Sequence, residues 1–77
     1  GEGTARAVWD ELIRNYPVLF WRSRTDNDIN GFYTEEADGS VRTGKWIVFW
    51  KGETDFDRIA RAVKSIVDLP ESFGDPG

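Results

Sequence analysis

Apolar residues recur at helical spacing in the first part of the chain. They lie three or four positions apart and so line one face of a helix: Ala5, Val8, Trp9, Leu12, Ile13 and Tyr16. Thr4 is expected to cap this helix, and Pro17 ends it because a proline pushes the preceding residue out of helical geometry. The pattern predicts an amphipathic helix over residues 4–16.

The next part of the chain carries the signals of β-structure. A polar loop over residues 25–31 separates two apolar segments, and Asp38-Gly39 is a strong hairpin signal because a type I′ turn needs two residues that tolerate positive φ. The predicted strands are residues 18–24, about 32–36 and about 41–51. With Asp38 and Gly39 at the tip of the hairpin, Glu35 would lie opposite Arg42 as a favourable cross-strand pair of opposite charges.

A second helix is predicted after the strands. Thr54 or Asp55 is expected to cap it, and Asp57 lies near its positive N-terminal end. Its predicted apolar face consists of Phe56, Ile59, Ala60, Val63, Ile66 and Val67. Leu69-Pro70 ends the helix.

These elements predict the fold class. We expect one small, two-layer α+β domain over residues 1–77, in the order α-β-β-β-α, with a three-stranded antiparallel sheet and two packed helices. Both helices should lie mainly on one face of the sheet, and residues 1–3 and 74–77 should be flexible ends. The expected helix half of the core is Trp9, Leu12, Ile13, Ile59, Val63 and Ile66.

Aromatic residues exceed what one covered sheet face needs, with four Trp, five Phe and two Tyr in 77 residues. The last strand places Ile47 and Phe49 on one face and Trp46, Val48 and Trp50 on the other. Either one helix packs on each face, or one face keeps exposed aromatic side chains. The pattern leaves both arrangements open, and it does not decide which of the two sets joins the core.

An exposed aromatic face on a water-facing domain would mark a partner surface. The predicted partner-binding residues are Trp21, Arg22, Arg24, Lys45, Trp46 and Trp50. The net charge of −4 favours a protein partner with a basic surface, or self-association, over nucleic acid. Single-stranded nucleic acid, with bases stacked on the same aromatic and arginine strands, is the alternative.

The polar loop contains an acidic motif that resembles the start of a calcium-binding loop. Asp26, Asp28 and Asn30 alternate before Gly31, which is the spacing that brings oxygen ligands around one cation. The twelfth position, where a bidentate glutamate is needed, is Ala37. A calcium-stabilised domain is therefore a weaker hypothesis than an ordinary turn in which Asp and Asn bond to their own backbone.

The composition argues against catalysis. The sequence has no histidine and no cysteine, and it has no nucleophile-elbow, phosphate-loop or zinc motif. We therefore predict a non-enzymatic protein, without a cofactor. No apolar run is long enough to span a bilayer, so we expect no membrane contact and a cytoplasmic location.

One segment resembles a known family. Gly44-Lys45-Trp46-Ile47-Val48 and the helix after it, about residues 44–67, look like a segment of the cap-binding translation initiation factors. In that family a glycine-rich turn leads into a Lys/Arg-Trp strand and then a long helix. The resemblance implies a sheet with helices on one face, and no cap-binding residue carries over. The aromatic strands and the missing catalytic motifs together predict a small protein-interaction module that uses an aromatic-rich sheet surface.

Overall fold

Six elements of secondary structure follow one another along residues 2–70, the part of the chain that this computed structural model describes, with side chains from residue 6 onward. They are α1 (Glu2–Asn15), β1 (Leu19–Arg24), α2 (Asn30–Glu36), β2 (Gly39–Thr43), β3 (Trp46–Lys51) and α3 (Phe56–Val67). The strands form one antiparallel sheet in the order β1-β3-β2, so that β3 is central. The predicted class is confirmed: this is a small α+β domain with its long helices and three strands in the order α-β-β-β-α, and α2 is an additional short helix between β1 and β2.

The segment 32–36, predicted as a strand, lies in α2. The turn before it is set by Asn27, whose side-chain oxygen accepts a hydrogen bond from the Ile29 N–H at 3.1 Å. At the other end of α2, the Ala37 N–H donates to the Tyr33 carbonyl at 2.8 Å, which is a regular helical hydrogen bond between residues four apart. The strand prediction was wrong because five residues with two adjacent aromatics fit either period, and local turn chemistry decided for the helix.

The hairpin lies at Gly44 rather than at Asp38-Gly39. Thr43 pairs with Trp46, which leaves Gly44 and Lys45 as a two-residue loop, and Gly44 has a φ of 62°. A positive φ at the first loop position is the pattern of a type II′ turn, in which glycine is preferred. The predicted strand 41–51 is therefore two strands.

The predicted pair between Glu35 and Arg42 is also wrong, because Arg42 lies opposite Ile47. Asp38 has a different use. Its N–H donates to the Trp50 carbonyl at 2.8 Å, and its carboxylate accepts from the Gly52 N–H at 2.7 Å. Asp38 thereby joins the start of β2 to the end of β3.

Helices cover both faces of the sheet. On one face, Trp9 of α1 contacts Trp21, and Tyr33 of α2 contacts Phe49. On the other face, the Arg22 side chain reaches the Ile66 carbonyl of α3. The expectation that both long helices lie mainly on one face was therefore wrong.

The covered sheet explains the apolar run in β3. Val48 and Phe49 are neighbours that point to opposite faces, and both are fully buried. The core thus takes one residue from each of the two sets that the sequence left open. Ile59 of α3 is buried as predicted, whereas Leu12 is 37% exposed and Phe56 is 82% exposed, so neither belongs to the core of the described residues.

The ends of α3 follow from local chemistry. Asp55 is the N-cap, and its carboxylate accepts hydrogen bonds from the N–H groups of Asp57 and Arg58. Asp57 occupies the first turn, where its negative charge opposes the positive end of the helix dipole. The helix ends at Val67, two residues before Leu69.

At the N-terminal end, α1 begins at Glu2, earlier than the predicted cap at Thr4. Of the predicted flexible ends, residues 1–3 and 74–77, Glu2 and Gly3 lie in α1, whereas Gly1 and residues 74–77 lie outside the described residues. Within residues 2–70, no helix has both the length and the apolar character needed to cross a membrane.

Candidate functional site

Five aromatic side chains form a contiguous cluster between α1, α2 and the sheet. We call it the aromatic cluster, and its members are Trp9, Trp21, Phe32, Tyr33 and Phe49. Trp21 stacks on Phe49 with ring centroids 5.5 Å apart, and Trp9 meets Trp21 edge-on at 5.0 Å. Such edge and offset contacts stabilise aromatic pairs beyond their area burial. The cluster is therefore what fixes both helices on this face of the sheet.

Glu36, at the end of α2, is the polar link between the elements around the cluster. Its carboxylate accepts a hydrogen bond from the Trp9 indole N–H at 2.8 Å and pairs with Arg6 at 3.3 Å. Its backbone carbonyl accepts from Lys51 at 3.0 Å. With a side chain only 19% exposed, Glu36 ties α1, α2 and β3 together.

Three cations surround one indole ring on the opposite face. We call this the cationic cluster, and it consists of Arg22, Arg24 and Lys45 around Trp46. The charged groups lie 3.9, 5.4 and 5.7 Å from the Trp46 ring centre, within the range of cation–π attraction. The hairpin register creates the cluster, because Arg24 pairs with Trp46 and Lys45 precedes it in the turn. Positive charge is therefore concentrated at one end of the sheet of an acidic chain.

Arg22 differs from the other two cations because it also holds α3. Its guanidinium donates to the backbone carbonyls of Ile66, Leu69 and Pro70, at 2.9, 3.0 and 2.9 Å. The Ile66 carbonyl lies in the last turn of α3, and Leu69 and Pro70 follow the end of the helix. A cation is favoured here because this is the negative end of the helix dipole. Arg22 therefore joins the cationic cluster to the C-terminal end of α3.

The structure divides the surface predicted for partner binding. It brings together Arg22, Arg24, Lys45 and Trp46, as described. Trp21 lies on the other face, in the aromatic cluster. Trp50 lies at the far end of β3, with its ring across Gly39, where an added Cβ would meet the indole at 2.5 Å. A binding role for these six residues stays a prediction, and they do not form one continuous surface.

The acidic loop lies between β1 and α2. Asp26 and Asp28 are exposed, and Asn30 is half-buried with its amide N–H donating to the Arg24 carbonyl at 2.8 Å. Among residues 2–70, no group of three or more acidic, histidine or cysteine side chains is placed to hold a metal ion. Calcium binding by Asp26, Asp28 and Asn30 stays a prediction.

Two buried polar atoms border the aromatic cluster and the loop. The indole nitrogen of Trp21 and the side-chain oxygen of Asn30 have no hydrogen-bond partner within the described part of the chain. Buried polar atoms are normally paired, so these two atoms are exceptions among the described residues. Sequence reasoning assigned Trp21 only to the predicted partner-binding surface.

Sequence reasoning missed Phe32, Tyr33 and Glu36 because it placed them on a strand. A signal was present in the loop before them, since Asn27 two residues before Ile29 is the spacing of an Asx turn, which can begin a helix. With the segment read as a helix, adjacent aromatic residues at its centre would have pointed to the α1–α2 contact.

Comparisons with known proteins point to one family. The model of the N-acetyltransferase (NAT) domain of N-acetylglutamate synthase matches residues 1–69. A protein of Xanthomonas campestris pv. campestris named acetylglutamate kinase is 48% identical over 63 residues, 82% of this chain and 15% of its own length. The mitochondrial N-acetylglutamate synthase of Danio rerio is 41% identical over 73 residues, 95% of this chain and 14% of its own length. The human mitochondrial N-acetylglutamate synthase is 40% identical over 76 residues, 99% of this chain and 14% of its own length.

These matches correct three predictions. The resemblance of residues 44–67 to cap-binding translation initiation factors was wrong, because the acetyltransferase model matches residues 1–69. The non-enzymatic interaction module, and with it the prediction that the chain is not an enzyme, was wrong because the matched family consists of N-acetyltransferases. The absence of histidine and cysteine from the sequence was therefore not sufficient to exclude an enzyme.

Proposed function

The chain belongs to the N-acetyltransferase (NAT) family of N-acetylglutamate synthase, and we propose that it is part of an enzyme that transfers an acetyl group to the amino group of glutamate. One observation carries the proposal. Two relatives named as N-acetylglutamate synthases are 40% and 41% identical over 99% and 95% of this chain. Because the chain spans only 14–15% of the length of such relatives, the reaction is proposed for the full-length protein.

The reaction is an acyl transfer. The amine nitrogen of glutamate attacks the carbonyl carbon of an acetyl thioester, the N–C bond forms, the C–S bond breaks, and the thiol leaves. The amine must lose one proton to a base, and one proton neutralises the leaving thiolate. Every bond change involves substrate atoms, so the protein must position the amine, stabilise charge and exclude water.

The cationic cluster supports an amino-acid substrate. Glutamate carries two carboxylates, and arginine and lysine are the side chains that pair with carboxylates through charge-assisted hydrogen bonds. In this assignment Arg24 and Lys45 contact the substrate, and Arg22 keeps the Trp46 ring in place between them. The concentration of positive charge around one indole, in a chain of net charge −4, favours an anionic small molecule at this end of the sheet.

The relatives also carry the name of a second reaction, since the Xanthomonas protein is named an acetylglutamate kinase. The family model that matches residues 1–69 is that of the acetyltransferase domain. We therefore propose acetyl transfer, and not phosphorylation, for the part of the protein to which this chain contributes.

The test is an assay of the full-length protein with acetyl-coenzyme A as the thioester and glutamate as the amine. A thiol-reactive dye measures release of the free thiol, and mass spectrometry identifies N-acetylglutamate. We expect thiol release that depends on glutamate, with little release when it is replaced by glutaric acid, which has both carboxylates but no amine. Thiol release that is independent of any amino acid would contradict the proposal.

Variants of the cationic cluster test the substrate assignment. Arg24→Gln and Lys45→Gln should each raise the KM for glutamate by about 10- to 100-fold, because a lost hydrogen bond to a charged group costs about 1.5–3 kcal/mol and each 1.4 kcal/mol is tenfold. Arg61→Gln, an exposed arginine on α3, is the matched control and should leave KM unchanged. An unchanged KM in both cluster variants would overturn this assignment while leaving acetyl transfer itself standing.

The cellular location is a separate question. A cytoplasmic location stays our proposal, whereas the vertebrate synthases that resemble this chain are named as mitochondrial proteins. Fractionation of source cells, followed by detection of the native protein, distinguishes the two compartments.

A further inference from the structure

The helix α1 carries apolar side chains on two sides, and only one side is covered within residues 2–70. The inner side holds Trp9, which belongs to the aromatic cluster, and the half-buried Ile13. On the outer side Val8 is 64% exposed, Leu12 is 37% exposed and Tyr16 is 57% exposed. Val8 and Leu12 lie one turn apart on α1. Tyr16, the residue after the end of α1, continues the same stripe because its N–H still donates to the Leu12 carbonyl at 3.0 Å.

The stripe forms an apolar groove. Its volume is about 380 Å³, and its walls are Ala7, Val8, Glu11, Leu12, Asn15 and Tyr16. The two polar members are already engaged within the helix, because Glu11 pairs with Arg14 and accepts a hydrogen bond from the Asn15 side chain at 3.2 Å. Covering the groove would therefore leave no unpaired charge behind, which suits an apolar occupant.

We propose that the outer stripe of α1, Val8, Leu12 and Tyr16, is the docking surface for the remainder of the same polypeptide, so that α1 is held between two apolar layers. The relatives show how much polypeptide is available, since the matched region is only 14–15% of their length. The described residues also have a thin core, with Val48, Phe49 and Ile59 as their buried apolar side chains. A helix that is apolar on two sides is typical of a buried position in a larger domain.

The size of the stripe favours this occupant over a second copy of the chain. A stable interface between separate molecules buries about 800 Å² on each partner, which requires about 20–30 residues a side. Six lining residues provide much less. A segment of the same polypeptide does not lose translational and rotational freedom when it docks, so a small apolar contact is sufficient.

Photocrosslinking of the full-length protein tests this directly. A benzophenone amino acid replaces Val8 in one variant and Tyr16 in another, and mass spectrometry maps the crosslinked peptides after irradiation. The matched control carries the same probe at Arg61, which is exposed on α3. We expect crosslinks within one molecule to peptides outside residues 1–77, in a yield several times that at the control position.

Three results would overturn the proposal: crosslinks between two molecules, crosslinks confined to residues 1–77, or a yield no higher than at Arg61. A second measurement uses Leu12→Glu, which should lower the thermal unfolding midpoint of the full-length protein, whereas Arg61→Glu should not. Equal midpoints for the two variants would also count against docking. The inference rests on the exposed stripe and on the length of the relatives, so it stands or fails independently of acetyl transfer.

Discussion

The guanidinium carbon of Arg22 lies 3.9 Å from the centre of the Trp46 ring, and the same guanidinium donates to three backbone carbonyls around the end of α3. One side chain of the edge strand β1 thus holds both the indole of the cationic cluster and the C-terminal end of the helix above it. The planar, multiply donating guanidinium suits this arrangement, which a lysine cannot reproduce.

Arg22→Gln should destabilise the protein by about 3 kcal/mol, because it removes charge-assisted hydrogen bonds and a cation–π contact. Arg22→Lys should recover only part of this loss, since one ammonium cannot reach all three carbonyls and cover the ring. Urea unfolding followed by tryptophan fluorescence measures both. The exposed Arg61→Gln should change stability by less than about 0.5 kcal/mol, and an equally small effect of Arg22→Gln would contradict the role described here.

Alanine substitutions at Gly52 and Gly44 compare two glycines that share a positive φ but differ in the space around an added Cβ. Both have positive φ, 92° and 62°, so alanine at either position should cost about 1–2 kcal/mol for left-handed backbone. An added Cβ at Gly44 meets nothing within 4 Å, whereas at Gly52 it would lie 1.9 Å from the Pro17 carbonyl oxygen. Gly52→Ala should therefore be clearly more destabilising than Gly44→Ala. Urea midpoints measured side by side decide this, and equal values would show that the contact with Pro17 relaxes easily.

The Asp55 cap should behave as a local contribution to α3. Asp55→Ala should cost about 1 kcal/mol, because the N–H groups of Asp57 and Arg58 lose their acceptor. Asp55→Ser keeps an oxygen in place and should recover most of the loss. Thermal unfolding of the three proteins provides the comparison. If alanine and serine behave alike, the two hydrogen bonds contribute nothing measurable.

Two substitutions at Glu36 distinguish the stability contributed by its hydrogen bond to Trp9 from that of its ion pair with Arg6. Glu36→Gln keeps a side-chain oxygen that can accept from the Trp9 indole but removes the charge opposite Arg6, so it should cost less than about 1 kcal/mol. Glu36→Ala also leaves the part-buried indole N–H without this partner and should cost about 1–3 kcal/mol. Tryptophan emission should shift in the alanine variant alone. Equal losses in both variants would show that the ion pair, and not the indole contact, is what matters.

Much of the fold could be predicted because its signals are local. Apolar spacing predicted α1 and α3, and the apolar run at residues 46–50 predicted a strand. Thr54 or Asp55 was the predicted cap of α3, and the structure selects Asp55. The period of 3.6 or 2 is a property of neighbouring residues, so these features do not depend on the rest of the molecule. For the same reason the sequence specified the α+β class.

What only the tertiary structure decided involves residues far apart in the chain. Arg22 and Ile66 are separated by 44 residues, and Trp9 and Glu36 by 27. No local pattern therefore indicated that helices cover both faces of the sheet, or that three cations lie around the Trp46 ring. The apolar positions in residues 32–36 fit both the helical period of 3.6 and the strand period of 2. The turn at Asn27 and the contacts of Tyr33 selected the helix. The outer stripe of α1 is the complementary case, since the sequence predicts its apolar spacing but only the structure shows that residues 2–70 leave it uncovered. Periodicity determines that a face is apolar, whereas the packing of distant segments determines what covers it.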